Sequence, residues 1–226
     1  MTWDFSTDAE FSKKLDWIRN FVRDEVEPLD ALFPGCEYLP LDEQRRKIVD
    51  PLKQRVREQG LWAPHLGPEL GGQGFGAVKL TLINEILGRT AWGPIVFGTQ
   101  APDTGNAEIL ARFGTQEQKD CYLEGLLSGE IFSCFSMTEP QGGADPRVFT
   151  THAVRDGDEW VITGRKYFSS NASVAAFFIV VAITDPDVPV HRGTSTFLID
   201  AGTPGLPISR LTQHCIGRHP HTVVTH

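Results

Sequence analysis

"GEIFSCFSMTEPQGGADP", Gly129–Pro146, is where the chain changes its period. Before it, apolar residues recur every three or four positions. After it they come in short β-branched and aromatic runs bounded by turn residues. The stretch itself passes from a strand pattern, "IFSCFSM", into Thr-Glu-Pro and then a Gly-Gly loop. On spacing alone, such a loop is a simple chain reversal. Yet Thr138 follows the strand directly, and Gly142-Gly143 permits a close backbone approach to a ligand. The loop is neither a Walker A nor a dinucleotide fingerprint, because it lacks Gly-Lys-Ser/Thr and does not sit in alternating strand and helix units.

Working back from this point, Phe11, Leu15, Ile18 and Val22 predict an amphipathic helix that Pro28 ends. Pro34, Gly35 and Pro40 mark a loop. Asp50-Pro51 reads as an N-cap followed by proline at the first helical position. Leu52 and Val56 then form the apolar stripe of a helix that Gly60 closes. "LGPELGGQGFG" is loop. Val78, Leu80, Leu82, Ile83, Ile86 and Leu87 leave little polar face and predict a buried helix. Two short helices follow, the first from Gly105-Asn106 to Gly114. The second is capped by Thr115 with Gln118 completing a capping box, and Gly129 closes it.

Working forward, "THAVRD", "EWVITGRKYFSS", "FFIVVAIT" and "STFLID" predict strands. Asp156-Gly157 signals a hairpin. "TDPDVPVHRGT" is a long polar connection. The final "LTQHCIGRHPHTVVTH" has no clear apolar alternation. The expected organisation is a helical domain over 1–129, a β domain over 130–211 and a divergent tail over 212–226.

Bulk properties narrow the function classes. A length of 226 residues, 40% hydrophobic and 10% aromatic, supports a folded core. The net charge of −8 disfavours non-specific nucleic-acid binding. Cys36, Cys121, Cys134 and Cys215 are scattered, without a CxxC, which points to free thiols in a reducing compartment. No signal-peptide core and no apolar run of membrane-spanning length appears, so a cytoplasmic location without a membrane span is expected. His214, Cys215, His219 and His221 lie close in sequence but lack the ordered spacing of a metal site. His65, His152 and His191 are isolated.

A second candidate is "GRKYFSSNAS", Gly164–Ser173, where a strand carries Tyr167 and Phe168 into a Ser-Ser-Asn turn. Aromatics on a strand are ordinarily core. An aromatic followed by hydroxyls can also stack a flat ring and bond its edge.

Taken together, "CFSMTEPQGGAD" and "DGDEWVITGRKYFSSNAS" resemble the acyl-CoA dehydrogenase family. "GTQAPDTGNAEILARFGTQEQKDCYLEGLLSGEIFSCFSMTEP" looks like the subgroup of family members ten and eleven. The resemblance covers residues 10–210. It implies an α+β fold: an N-terminal all-α helical domain, then a middle β-barrel domain. In the family a C-terminal helical domain follows, carrying the catalytic Glu. On this resemblance the chain stops short of that domain, has no catalytic residue of its own and is inactive alone; Glu139 belongs to the Thr-Glu-Pro turn and is not the base. A shifted or truncated reading frame after residue 211 is the expected source.

The resemblance further implies FAD as cofactor, an acyl-CoA thioester as substrate, an electron-transferring flavoprotein as electron acceptor and a homo-oligomer. Phe135, Met137 and Thr138 would border the flavin ring, with Thr138 offering its hydroxyl and amide. Gly143 and Ala144 would approach the FAD pyrophosphate and the substrate channel. Phe168 stands at the family's Trp position, and Ser170 at a Thr position that can bond the flavin edge. Three positions depart from the family pattern. Ala144 stands for Ser, Phe168 for Trp, and Gln141 replaces a small residue and narrows the loop. Two rival readings share parts of this pattern: a flavin monooxygenase or nitroalkane oxidase of the same fold, and a non-catalytic binding module.

Overall fold

A computed structural model describes residues 5–35, 39, 41–143, 145–214 and 217–225, with side chains described through residue 208. Residues up to Thr104, with Leu127–Gly129, pack as one compact unit. Gly105–Leu126 and the chain from Glu130 onward pack as a second.

The first unit is helical: α1 (Ala9–Phe21), α2 (Pro28–Leu32), α3 (Glu43–Glu58), α4 (Gly76–Leu87) and α5 (Gly93–Phe97). Its core gathers the apolar stripe of α1, namely Phe11, Leu15, Ile18 and Phe21. Val49 and Val56 of α3, Ile83 and Leu87 of α4, and Trp92 and Phe97 complete it. After α1 the chain does not stop at Pro28. A π-helical turn, Val22–Val26, carries it on, and Pro28 is the first residue of α2. Proline is tolerated there because the amide it lacks has no intrahelical partner.

α3 begins eight residues earlier than Asp50-Pro51 suggests. Asp42 is the cap, its Oδ1 accepting from the Arg45 amide at 2.8 Å, and Pro51 lies inside the helix. Val49, Leu52 and Val56 are buried on either side of Pro51, so tertiary packing holds the helix continuous across it. Ile83, Ile86 and Leu87 of α4 are buried as expected, but Val78 is exposed.

Trp62 anchors the end of this unit. Its Nε1 donates to the Leu127 carbonyl at 3.0 Å, and the Arg57 guanidinium lies 3.9 Å from the ring centroid. Gly98 takes a left-handed φ of 66° against the same ring, where a Cβ would come within 2.7 Å of it.

The second unit takes α6 (Asp103–Phe113) from Gly105 on, α7 (Gln116–Gln118), and α8 (Glu124–Ser128) as far as Leu126. Thr115 and Gln118 form the expected capping box. The strands are β1 (Phe132–Ser136), β2 (His152–Asp156), β3 (Glu159–Thr163), β4 (Arg165–Ser169), β5 (Ala175–Ile183), β6 (Thr194–Asp200), β7 (Ile208–His214) and β8 (Gly217–Thr225). A short helix, α9 (Val190–Gly193), leads into β6.

Strand β5 is central: it runs parallel to β1 and antiparallel to β6, and meets β2 at His152↔Ile183. Buried over nearly its whole length, it reads as a continuous apolar run for that reason. Asp156-Gly157 forms the expected β2–β3 turn. β4, β8 and β7 form a second sheet.

"EWVITGRKYFSS" looks continuous but is broken at Gly164 into β3 and β4, which belong to different sheets. A Cβ at Gly164 would sit 2.3 Å from Thr151 Oγ1 and 2.7 Å from its Cα, so the strands part where the backbone must pass another chain segment. The α+β class expected from the sequence is the observed one. Among the described residues no helix is long and apolar enough to cross a membrane.

The position of the α3 cap is directly testable. Asp42→Ala should lower unfolding free energy in urea by about 1 kcal/mol. Asp50→Ala should change it by under about 0.5 kcal/mol. The reverse ranking would return the helix start to Asp50.

Candidate functional site

The two sequence motifs meet in the second unit. β1 runs into Met137-Thr138-Glu139, and β4 lies beside it. The Tyr167 amide donates to the Thr138 carbonyl at 2.8 Å. Ser136 Oγ and Ser169 Oγ lie 2.8 Å apart, both residues buried. Lys166 Nζ donates to the Met137 carbonyl at 2.9 Å and to Glu139 Oε1 at 2.8 Å.

That ion pair is fully inaccessible, with both side chains at 0% exposure. Two desolvated charges persist only if their remaining valences are filled. Glu139 Oε1 also accepts from the Thr151 amide at 3.0 Å. Oε2 accepts from the Thr150 amide at 2.7 Å, from Thr150 Oγ1 at 3.0 Å and from Gln141 Nε2 at 2.6 Å. Lys166 Nζ lies 4.6 Å from the Phe149 ring centroid. Burial alone would raise the Glu139 carboxyl. The Lys166 ammonium and the Thr150 and Thr151 amides outweigh it, leaving the group at about 2. Burial pushes Lys166 down, opposed by Glu139.

Glu139 is therefore a structural carboxylate. A general base must be able to take a proton near working pH, and this one is held ionised and saturated with donors. Gln141, expected to narrow the loop, instead folds back onto Glu139 and the Val148 carbonyl. A Cβ at Gly142 would come within 2.1 Å of Val148 Cγ2, so a side chain there would force Val148 to turn aside.

Around this clamp sit the residues singled out from the sequence. Phe135, on β1, is half-buried, as are Met137 and Thr138 just beyond it. Among the described residues the Thr138 hydroxyl has no bonded partner. Phe168 is 58% exposed, with a left-handed φ of 56°, and its ring stacks on Tyr167 at 5.4 Å. Ser170 is half-buried beside it. Gly143 is exposed, with open space where a Cβ would stand. Ala144 lies outside the described residues. Thr138 and Phe168, linked through the Tyr167–Thr138 backbone bond, form a short wall with an exposed aromatic ring and a hydroxyl, and Gly143 is an open glycine on the loop that follows Thr138. A flat conjugated ring system bearing a polar edge fits such a wall.

Lys166, Ser136 and Ser169 were not apparent as site residues. A lysine in a strand of otherwise mixed pattern signals a buried partner only once Glu139 is known to face it. Among the described residues Cys134, buried, and Cys121, exposed, are in no disulfide, and Cys134 Sγ lies 3.6 Å from Ser136 Oγ. Cys36 and Cys215 lie outside the described residues, as do the side chains of His214, His219 and His221. Among the described residues no group of His, Cys, Asp or Glu is arranged to hold a metal.

Comparison with known proteins adds to this geometry. The family model "Acyl-CoA dehydrogenase, N-terminal domain" matches residues 9–130, and "Acyl-CoA dehydrogenase, middle domain" matches residues 134–225. The (R)-benzylsuccinyl-CoA dehydrogenase of Thauera aromatica is 34% identical over 216 residues, covering 91% of this chain and 52% of that protein. Acyl-CoA dehydrogenase family member 11 of Homo sapiens is 38% identical over 167 residues, covering 72% of this chain and 21% of that protein. Among solved structures, the "FAD complex of PigA" superposes with a TM-score of 0.76 at 26% identity, covering 99% of this chain and 56% of that one. The chain thus spans about half the length, or less, of the curated relatives it matches.

The clamp makes two checkable statements. Lys166→Met strands a buried carboxylate and should cost about 3–5 kcal/mol in urea unfolding. Glu139→Gln/Lys166→Met, which removes both charges, should recover most of that loss. A Lys166→Met protein as stable as wild type would refute the clamp. Because the folded carboxyl sits at about 2, below its ordinary 4.5, its contribution is complete above pH 4.5 and is lost as pH falls toward 2. Unfolding free energy should fall across that window in wild type, and less steeply in Glu139→Gln.

Proposed function

Since this chain belongs to the acyl-CoA dehydrogenase family, we propose that it supplies the N-terminal helical and middle domains of a flavin-dependent dehydrogenase acting on an acyl-CoA thioester. The observation that carries this reading is the wall formed by Thr138 and Phe168. It stands on two family motifs joined through a buried ion pair.

FAD, when bound, supplies the capacity to accept the two electrons removed from the substrate. The chain's part is to hold and orient that group. Phe168 would cover one face of the ring system. Met137 and Phe135 would border it with apolar surface, and this excludes water. The Thr138 hydroxyl and amide, with Ser170, would donate hydrogen bonds to its polar edge, where such donors favour the reduced form. Gly143 leaves room for the pyrophosphate; Ala144, which the family resemblance assigns to phosphate and substrate, lies outside the described residues. Phe168 in place of Trp keeps a stacking face but loses an indole N–H donor.

Glu139 is committed to Lys166 and the loop amides, so the residue that takes the substrate's α-proton is assigned elsewhere in the assembled enzyme. The same reading gives an electron-transferring flavoprotein as acceptor, fatty-acid β-oxidation as setting and a homo-oligomeric assembly. It takes residues 1–129 and 130–211 as the two domains; the stretch from 212, expected to be a divergent tail, falls inside the middle-domain match, which runs to residue 225. The reading takes the chain as working in a reducing compartment such as the cytoplasm, where Cys121 and Cys134 stay outside disulfides.

Flavin titration of the 226-residue chain tests this. Phe168→Ala and Thr138→Ala should each weaken FAD binding about tenfold, corresponding to ~1.4 kcal/mol, without shifting the urea midpoint. Unchanged FAD affinity in both would remove the wall from the flavin site. Medium- or long-chain acyl-CoA should perturb the absorption band of the bound flavin. An unmoved band at saturating thioester would overturn the substrate assignment.

A further inference from the structure

Phe168 carries two unfavourable features at once. Its backbone is left-handed, a conformation that bulky residues adopt rarely and at a cost. Its ring faces solvent instead of the core. Neither follows from the residue itself, so something else in β4 imposes them.

The flanking residues supply the cause. On a regular strand, side chains alternate, so Lys166 and Phe168 would share one face and Tyr167 and Ser169 the other. Here Lys166 and Ser169 are both fully buried, although alternation would put them on opposite faces. Lys166 is fixed by Glu139 and the Met137 carbonyl, and Ser169 by the Ser136 hydroxyl. Two inward anchors three positions apart cannot be met by a strand of period two. The chain between them must accommodate one extra residue. The β4–β8 register records this: Lys166 pairs with Val224 and Ser169 with Thr222, so β4 advances three residues while β8 advances two. That is a β-bulge, and bulges re-aim side chains. The left-handed turn at Phe168 absorbs the surplus residue and turns its ring outward.

We propose that the Ser136–Ser169 hydroxyl pair is the latch that keeps this bulge closed, which makes Ser136 and Ser169 positioning residues for the ring that Phe168 covers. The proposal rests on the reading of Phe168 as part of a flavin wall, but the latch itself is measurable without flavin. Lys166 is secured independently by its ion pair, so the hydroxyl pair decides whether the far end of the bulge holds. Removing it frees β4 to return to regular alternation, which brings Phe168 onto the Lys166 face.

Amide hydrogen exchange of the flavin-free chain, resolved over residues 166–170, is the decisive measurement. Ser169→Ala should speed exchange there by about tenfold more than it does over β5, so that the local opening exceeds any general loss of stability. Ser169→Thr, which retains a hydroxyl, should restore the slow exchange. FAD affinity should follow the same order, weakened in Ser169→Ala and recovered in Ser169→Thr. If Ser169→Ala does not fold, Ser136→Ala/Ser169→Ala, which leaves neither hydroxyl unpaired, is read in its place. Exchange as slow as wild type in the variant lacking the pair overturns the latch, whatever flavin does. Faster exchange in Ser169→Ala together with a Phe168→Ala protein of wild-type FAD affinity would keep the latch and discard the flavin wall instead.

Discussion

A lysine and a glutamate removed together from water govern the second unit. Each charge is costly to bury, and each becomes tolerable only when the other is present and every remaining donor and acceptor is filled. Glu139 therefore dictates more than its own position. It draws in Lys166 from β4, the amides of Thr150 and Thr151, and the side chain of Gln141. The chain between Glu139 and Thr151 is shaped by the need to deliver those donors. Gly164 stands where that folding back leaves no room for a Cβ. The wall with Phe168 and Thr138 rests on this arrangement, so the residues proposed to touch a cofactor are placed by residues that do not.

The helical unit is organised by apolar packing around a single aromatic anchor at its end. Trp62 receives Arg57 on its face, donates to Leu127 and leaves no room for a Cβ at Gly98. Its N–H is satisfied and one face carries Arg57, so a half-buried amphipathic ring ties α3 to the segment at Leu127–Gly129. Here polar contacts decorate a hydrophobic core, whereas in the second unit a polar cluster sets the geometry.

Local signals are legible in the sequence where chemistry and neighbours lie close along the chain. The capping box at Thr115 and Gln118, the Asp156-Gly157 turn and the apolar stripe of α1 are all of this kind. So are the two motifs, whose spacing and order point to the family by themselves. What stays hidden is non-local. Nothing near Asp42 distinguishes it from Asp50 as a cap, because Pro51 is held inside α3 by packing of Val49, Leu52 and Val56. Nothing in "EWVITGRKYFSS" shows that Gly164 divides two sheets, since the obstruction comes from Thr151. Ser136 and Ser169 each look like ordinary strand residues with a hydroxyl. Only their pairing, together with that of Lys166, reveals a strand that cannot keep its period.

The topology of β5 also bears on how the protein comes to be. Strand β1 leaves the ribosome well before its parallel partner, with Phe132, Cys134 and Phe135 ready for burial and no sheet to join. Parallel pairs close only after the intervening chain has been synthesised and its loop entropy met. During that interval β2 and β3 can form their hairpin locally, while β1 stays an unpaired apolar edge. The apolar run of β5 then completes the sheet from both sides at once, with β6 arriving last. The vulnerable species in biogenesis is thus the nascent chain that has passed β3 but not yet released β5, the stage at which a holding chaperone or a slow aggregation reaction competes with folding.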